Sequence, residues 1–203
     1  MGVHAAESGL SRSLLLILVG MIGCAKSGAS TTAAAPSASS SAQPRAVEMA
    51  RKPVDGGLTE VTVDLDGDGR AEVTNYVRAR TDAPDLVLRK DVDLNRDGRV
   101  DVRSVFDDGG LRVEENLDQD FDGRADWVDH YINGKRSYAE IDTNFDGVFD
   151  VFKYYENGLV RRKERDSNGD GRIDTWEYLD GGGNVVKTGR DIDGDGKMDT
   201  RED

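Results

Sequence analysis

The sequence predicts an all-β fold made of tandem β-hairpin repeats with a period of about 25 residues. Three observations support this prediction: an acidic motif recurs six times, strand-like alternation follows it, and short turns divide the alternating stretches. Only 6% of the residues are aromatic and 33% are charged, so we do not expect a conventional apolar core. The units therefore have to stabilise one another by packing side by side.

The acidic motif reads D-x-[DN]-x-D-G-x-x-[DE], and its six copies begin 29, 25, 24, 24 and 25 residues apart. We call the copies loops one to six and number each from its first aspartate. Positions 1, 3, 5, 7 and 9 are Asp64, Asp66, Asp68, Arg70 and Glu72 in loop one; Asp93, Asn95, Asp97, Arg99 and Asp101 in loop two; Asp118, Asp120, Asp122, Arg124 and Asp126 in loop three; Asp142, Asn144, Asp146, Val148 and Asp150 in loop four; Asp166, Asn168, Asp170, Arg172 and Asp174 in loop five; and Asp191, Asp193, Asp195, Lys197 and Asp199 in loop six.

The spacing of these residues suits calcium, which takes six to eight oxygen ligands at about 2.3–2.6 Å. Side chains at positions 1, 3 and 5 converge, glycine at position 6 allows a sharp turn, and position 7 offers its backbone carbonyl. The loops contain 21 of the 40 acidic residues, and six Ca²⁺ ions would bring the net charge from −13 to −1. We therefore predict several bound calcium ions, up to six. The alternative is that the loops are polar turns without metal, which Asp, Asn and Gly also favour.

The loops resemble the calcium loops of EF-hand and dockerin domains, of integrin-type propellers and of thrombospondin type 3 repeats. In the EF-hand family a glutamate at position 12 is a bidentate ligand, and by this resemblance Glu177 of loop five and Glu202 of loop six would take that role. The other copies depart from the EF-hand pattern. Their position-12 residues are Asn75, Ser104, Asp129 and Lys153.

Strand-like segments, and not helices, flank the loops. After loop three, Trp127 to Ile132 is followed by Asn133-Gly134, and Asn-Gly between β-rich runs is the strongest short hairpin signal. After loop four, the turn Glu156 to Gly158 divides two similar runs. The unit after loop one has Thr81 to Asp85 in place of a tight turn, which is typical of a terminal capping repeat.

The N-terminal region predicts export and anchoring. Residues 1–23 contain a short apolar run, Leu14 to Ile22, and resemble a bacterial lipoprotein signal peptide that ends before Cys24. By this resemblance Cys24 would carry fatty acyl chains such as palmitate; an ordinary signal peptide beside a chance cysteine is the alternative. Residues 24–53 are rich in Ala, Ser, Thr and Pro and are expected to form a disordered linker, and residues 54–203 the calcium-binding repeat domain.

These features predict a calcium-binding lipoprotein with a structural or adhesive role. We expect it to be secreted across the inner membrane and lipid-anchored at the outer membrane or surface of a bacterium, where a protein or glycan is its candidate partner. The net charge of −13 argues against nucleic acid. A calcium sensor or buffer is an alternative function. A hydrolytic enzyme is disfavoured, because every acidic cluster is repeated whereas catalytic sites are unique.

Overall fold

The computed structural model describes residues 46–202, which form one open antiparallel sheet of 13 strands. The order of the strands in the sheet equals their order in the sequence, so the fold is a continuous meander. The predicted all-β fold of tandem hairpins is confirmed. Within residues 46–202, no helix is long and apolar enough to cross a membrane.

The sheet is built from strands of three to eight residues. In chain order they are β1 (Val47–Val54), β2 (Leu58–Asp64), β3 (Val73–Arg78), β4 (Leu86–Val92), β5 (Val102–Phe106), β6 (Arg112–Leu117), β7 (Trp127–Ile132), β8 (Lys135–Ile141), β9 (Val151–Glu156), β10 (Leu159–Arg165), β11 (Thr175–Leu179), β12 (Val185–Arg190) and β13 (Thr200–Glu202). A single 3₁₀ turn, Asp55–Gly57, joins the first two strands.

The sheet begins earlier than the predicted domain boundary at residue 54. Strand β1 pairs with β2 from Val47, opposite Asp64, to Val54, opposite Leu58. Residues 47–53, which we expected in the disordered linker, therefore belong to the fold. Pro53 is compatible with this position because β1 is an edge strand, where a missing N–H group is tolerated. The predicted signal peptide, Cys24 and the rest of the predicted linker lie outside the described residues.

The hairpin β1–β2 also changes the interpretation of the first repeat. This hairpin precedes loop one, so the unit that follows loop one is not the end of the array. Within residues 46–202, the strand pair β1–β2 lies at that side of the sheet instead. The segment Thr81 to Asp85 does lie in a longer connection, between β3 and β4, as its sequence suggested.

The tight turns have the backbone conformation that hairpins require. Asn133 and Gly134 have φ angles of 51° and 71°, and Asn157 and Gly158 have φ angles of 52° and 81°. Two consecutive positive φ angles are typical of a type I′ turn, whose twist matches that of the flanking strands.

Cross-strand contacts, more than an apolar interior, hold the sheet together. One small apolar cluster lies on β2 and β3 and contains Val61, Val63, Val73 and Val77. In the middle of the sheet, the ring of Tyr138 packs 5.0 Å from that of Tyr154, centroid to centroid. The guanidinium of Arg162 lies 3.9 Å from the centre of the Tyr154 ring. Such pairs contribute about 0.2–1 kcal/mol each, so the stability of the sheet is distributed over many small interactions.

Candidate metal centres

The meander places all six loops at the same end of the strands, so that they lie along one edge of the sheet, perpendicular to the strands. Each loop connects an even-numbered strand to the next odd-numbered strand, whereas the hairpin turns connect odd to even strands at the opposite edge. Because neighbouring strands lie about 4.8 Å apart, successive loops are roughly 10 Å apart. The loops therefore form a single row of acidic sites.

The aspartate at position 1 organises each loop by accepting backbone hydrogen bonds. In loop four, Asp142 is only 2% exposed, and its carboxylate accepts hydrogen bonds from the N–H groups of Phe145 at 2.8 Å and Gly147 at 2.7 Å. The other five loops repeat this arrangement at Asp64, Asp93, Asp118, Asp166 and Asp191. In loop one the N–H groups of Gly67 and then Gly69 lower the pKa of Asp64. In loop one, the backbone of the turn therefore favours the ionised form of the carboxylate around which it folds.

Positions 3 and 5 continue the turn in the same way. In loop three, Asp120 accepts the N–H of Asp122 at 3.1 Å, and Asp122 accepts the N–H of Arg124 at 2.8 Å. The Arg124 side chain also pairs with Asp122 and lowers the pKa of this aspartate. At position 3 of loop three, by contrast, burial raises the pKa of Asp120, as do its neighbouring acids.

The acid at position 9 closes each loop onto its start. One oxygen of Glu72 accepts the N–H of Leu65 at 2.8 Å, and one oxygen of Asp101 accepts the N–H of Asn95 at 3.1 Å. The second oxygen of each, Oε1 of Glu72 and Oδ1 of Asp101, is buried and has no hydrogen-bond partner. A buried carboxylate oxygen without a partner is unfavourable unless a cation lies beside it. Nε of Arg96 lies 4.0 Å from Oε1 of Glu72, beyond hydrogen-bond distance, so this oxygen in particular is open to a metal ion.

Three loops bring several carboxylates close enough to hold one metal ion. The clustered ligand atoms lie within 4.8 Å of one another in each group. The groups are Asp64, Asp66, Asp68 and Glu72 in loop one; Asp118, Asp120 and Asp122 in loop three; and Asp191, Asp193 and Asp199 in loop six. These three loops have aspartate at position 3, whereas loops two, four and five have Asn95, Asn144 and Asn168, whose amide oxygens are also possible calcium ligands.

The two glutamates at position 12 do not join these clusters. Glu177 lies within β11, and its carboxylate pairs with Lys163 at 3.6 Å. Glu202 lies in β13 opposite Thr188. Three residues of extended chain carry position 12 about 10 Å away from position 9, whereas a helix would turn it back towards the loop. The EF-hand role expected for these glutamates is therefore not supported by their placement.

Arginines at position 7 reach the next loop along the row, a role that was not predicted from the sequence. Arg99 donates a hydrogen bond to the backbone carbonyl of Asp122 at 3.3 Å, and Arg172 donates one to Gly194 at 2.6 Å. The Arg124 guanidinium lies against Gly147, where a side chain would collide with it. Loop four has Val148 at this position, 57% exposed, so it offers loop five no such cation. The signal in the sequence was the repeated arginine at position 7.

Comparison with known proteins adds little about this site. No protein-family model matches the chain, and no curated protein sequence matches it. One similar solved structure is described as accessory secretory protein 1, 2 and 3 in Streptococcus pneumoniae, with 16% identity and a TM-score of 0.35. The similarity covers 44% of this chain and 17% of that chain. The case for a metal site therefore depends on the geometry of the loops.

Proposed function

We propose that the protein is a calcium-binding lipoprotein in which up to six ions stabilise a long sheet held at a membrane through Cys24. The observation that carries the proposal is in loop one, where four carboxylates converge within 4.8 Å. One of their oxygens, Oε1 of Glu72, is buried without a hydrogen-bond partner. A divalent cation would supply the partner that this oxygen lacks.

The donor set favours calcium over transition metals. Carboxylates, asparagine amides and backbone carbonyls are hard oxygen ligands, whereas copper, zinc and iron prefer imidazole or thiolate. The single histidine in the described residues, His130, pairs with Glu140 at 2.8 Å on the sheet and is not part of a loop. Magnesium requires stricter octahedral geometry at shorter distances and keeps several water ligands, so a loop of many protein oxygens suits it less than calcium.

The proposed structural role depends on the effect that calcium would have on the repulsion between the loop carboxylates. Without metal, each loop carries three or four carboxylates within nine residues, and their repulsion weakens the connections between hairpins. Cations bound along this edge would neutralise the repulsion and stiffen the sheet. The repetition of the site supports a non-enzymatic role, because each copy offers the same groups. A hydrolytic activity abolished by a substitution in one loop would contradict that role.

Calcium titration by isothermal calorimetry tests the proposed sites. We expect several ions, up to six, to bind per chain with dissociation constants of about 10⁻⁴–10⁻³ M. The substitution Glu72→Gln should remove one ion, because it takes a charge from the fullest cluster. The control Glu60→Gln makes the same chemical change on β2, outside the loops, and should leave the stoichiometry unchanged. A chain that takes up no calcium at millimolar concentration would refute the proposal.

Metabolic labelling tests the anchor. In a bacterial host, radioactive palmitate should label the full chain and leave a Cys24→Ser variant unlabelled. The variant should also move from the membrane fraction to the soluble fraction, because a single acyl chain is already marginal for binding and none remains. Labelling that survives the substitution would rule out Cys24 as the lipidated residue.

We further propose that the anchored sheet binds a protein or glycan at the cell surface.

A further inference from the structure

Arg96 connects loop two to the acidic cluster of loop one. It occupies position 4 of loop two, and its guanidinium pairs with Asp66 of loop one. The same guanidinium lies 3.9 Å from Asp68, and its Nε lies 4.0 Å from Oε1 of Glu72. One cationic side chain therefore faces three of the four carboxylates that cluster in loop one.

This arrangement differs from the ion pairs of the other clusters. Arg124 pairs with Asp122 within loop three, and Lys197 pairs with Asp195 within loop six. Position 4 of the remaining loops is uncharged. The residues there are Gly67, Phe121, Phe145, Gly169 and Gly194. Arg96 thus differs in that it faces three acids of the neighbouring loop, whereas Arg124 and Lys197 each pair with one aspartate of their own loop.

The Arg96 guanidinium and a metal ion would use the same oxygens. Asp66, Asp68 and Glu72 belong both to the cluster and to the surroundings of Arg96. The Arg96 side chain is 48% exposed, so it is able to leave the cluster for water. Glu72 makes no hydrogen bond to Arg96 through Oε1, so the arginine neutralises the cluster without completing its ligand contacts.

We propose that Arg96 is a specificity-determining residue of loop one: a built-in counter-ion that a divalent cation must displace. The inference depends on the proposed calcium binding and adds a ranking of the sites. Loop one, where Arg96 faces three of the four carboxylates, binds calcium more weakly than loop three, where Arg124 pairs with Asp122 alone. Without calcium, Arg96 stabilises loop one against the repulsion between its acids. Calcium in loop one releases Arg96, which belongs to loop two. Calcium binding in loop one and the conformation of loop two are therefore coupled, and each affects the other.

Amide resonances of the position-6 glycines report on individual loops. The N–H of Gly69 donates to Asp64 at 2.8 Å in loop one, and the N–H of Gly123 donates to Asp118 at 2.7 Å in loop three. Calcium is titrated into the full chain, and the concentration that half-saturates each resonance is measured. In the wild type, Gly69 should respond at a higher calcium concentration than Gly123.

The substitution Arg96→Asn removes the counter-ion, and asparagine tolerates the positive φ of 66° at this position. It should tighten calcium binding at Gly69 about five- to tenfold, where tenfold corresponds to 1.4 kcal/mol. Binding at Gly123 should stay unchanged. The matched variant Arg96→Lys keeps the charge and should leave Gly69 close to wild type. In EDTA, Arg96→Asn should unfold at a lower temperature than Arg96→Lys.

The outcomes separate the inference from the proposed function. If Gly69 and Gly123 both respond to calcium but Arg96→Asn leaves the Gly69 midpoint where it was, Arg96 does not compete and the inference is wrong. If Arg96→Lys tightens loop one as much as Arg96→Asn, the effect is not one of charge and the inference is equally wrong. If neither glycine responds in any variant, the proposed calcium binding fails, and the inference fails with it.

Discussion

Calcium should raise the unfolding temperature of this protein more than any single substitution changes it. A ligand that binds only the folded state stabilises it by RT ln(1 + [L]/Kd) per site. With 10 mM calcium and dissociation constants of about 10⁻⁴–10⁻³ M, each site contributes about 1.4–2.7 kcal/mol. Six independent sites together contribute about 8–16 kcal/mol, which is comparable to the whole stability of a typical domain.

Thermal melts followed by circular dichroism measure this effect. The protein is unfolded in EDTA, in calcium and in sodium chloride of equal ionic strength. Screening by salt weakens the repulsion among the loop acids, so sodium chloride should raise the melting temperature slightly, and calcium much further. The β-sheet spectrum should be retained at low temperature in calcium. Identical melting temperatures in EDTA and calcium would refute a structural role for the ion.

The second large effect is expected from Asp142→Ala in loop four. The Asp142 carboxylate is 2% exposed and accepts three backbone N–H groups, from Asn144, Phe145 and Gly147. Removing it leaves these donors without a partner and deletes one of the proposed calcium ligands of loop four. We expect a loss of about 2–4 kcal/mol in EDTA, since a buried donor left unsatisfied costs about 1–3 kcal/mol. In calcium the loss of unfolding free energy should be larger, because loop four would no longer bind an ion.

Asp180→Ala is the matched control for this substitution. Asp180 also organises a turn, accepting the N–H groups of Gly182 at 2.8 Å and Asn184 at 2.9 Å, but it lies at the opposite edge of the sheet. Its removal should destabilise the protein in EDTA, while the increase in stability on adding calcium stays at the wild-type value. If Asp142→Ala also keeps the full calcium increment, loop four does not bind the ion. Chemical denaturation in EDTA and in calcium gives both free-energy differences.

Much of the fold could be predicted from the sequence because its turns and loops depend on residues a few positions apart. The turn Asn133-Gly134 needs two positive φ angles, which these residue types adopt easily, and the observed angles of 51° and 71° agree. The loops likewise depend on short-range contacts, such as Asp142 with Gly147. Strand β1 was missed because its side chains are mostly exposed and lack the alternation of a half-buried strand. Pairing with β2 stabilises it, and this pairing is not visible in its composition.

The roles of individual charged side chains were less predictable. Glu177 matched the EF-hand spacing, but that spacing places a ligand correctly only when a helix follows the loop. In this chain β11 follows, and Glu177 pairs with Lys163 across the sheet. Arg96 gave no signal in the sequence, since its partners lie one repeat earlier. Its position beside Asp66 depends on which loops become neighbours along the sheet edge.

The sequence by itself determined the elements of this protein: six acidic loops, the hairpins between them and their period. Each of these is set by residues a few positions apart, through turn conformations and backbone hydrogen bonds to aspartate side chains. Only the tertiary structure decided that the hairpins form one open sheet with all six loops in a row at one edge. It also decided that position-7 arginines and Arg96 bridge successive loops. The physical reason is that these contacts join residues about one repeat apart, which only the pairing of strands brings together.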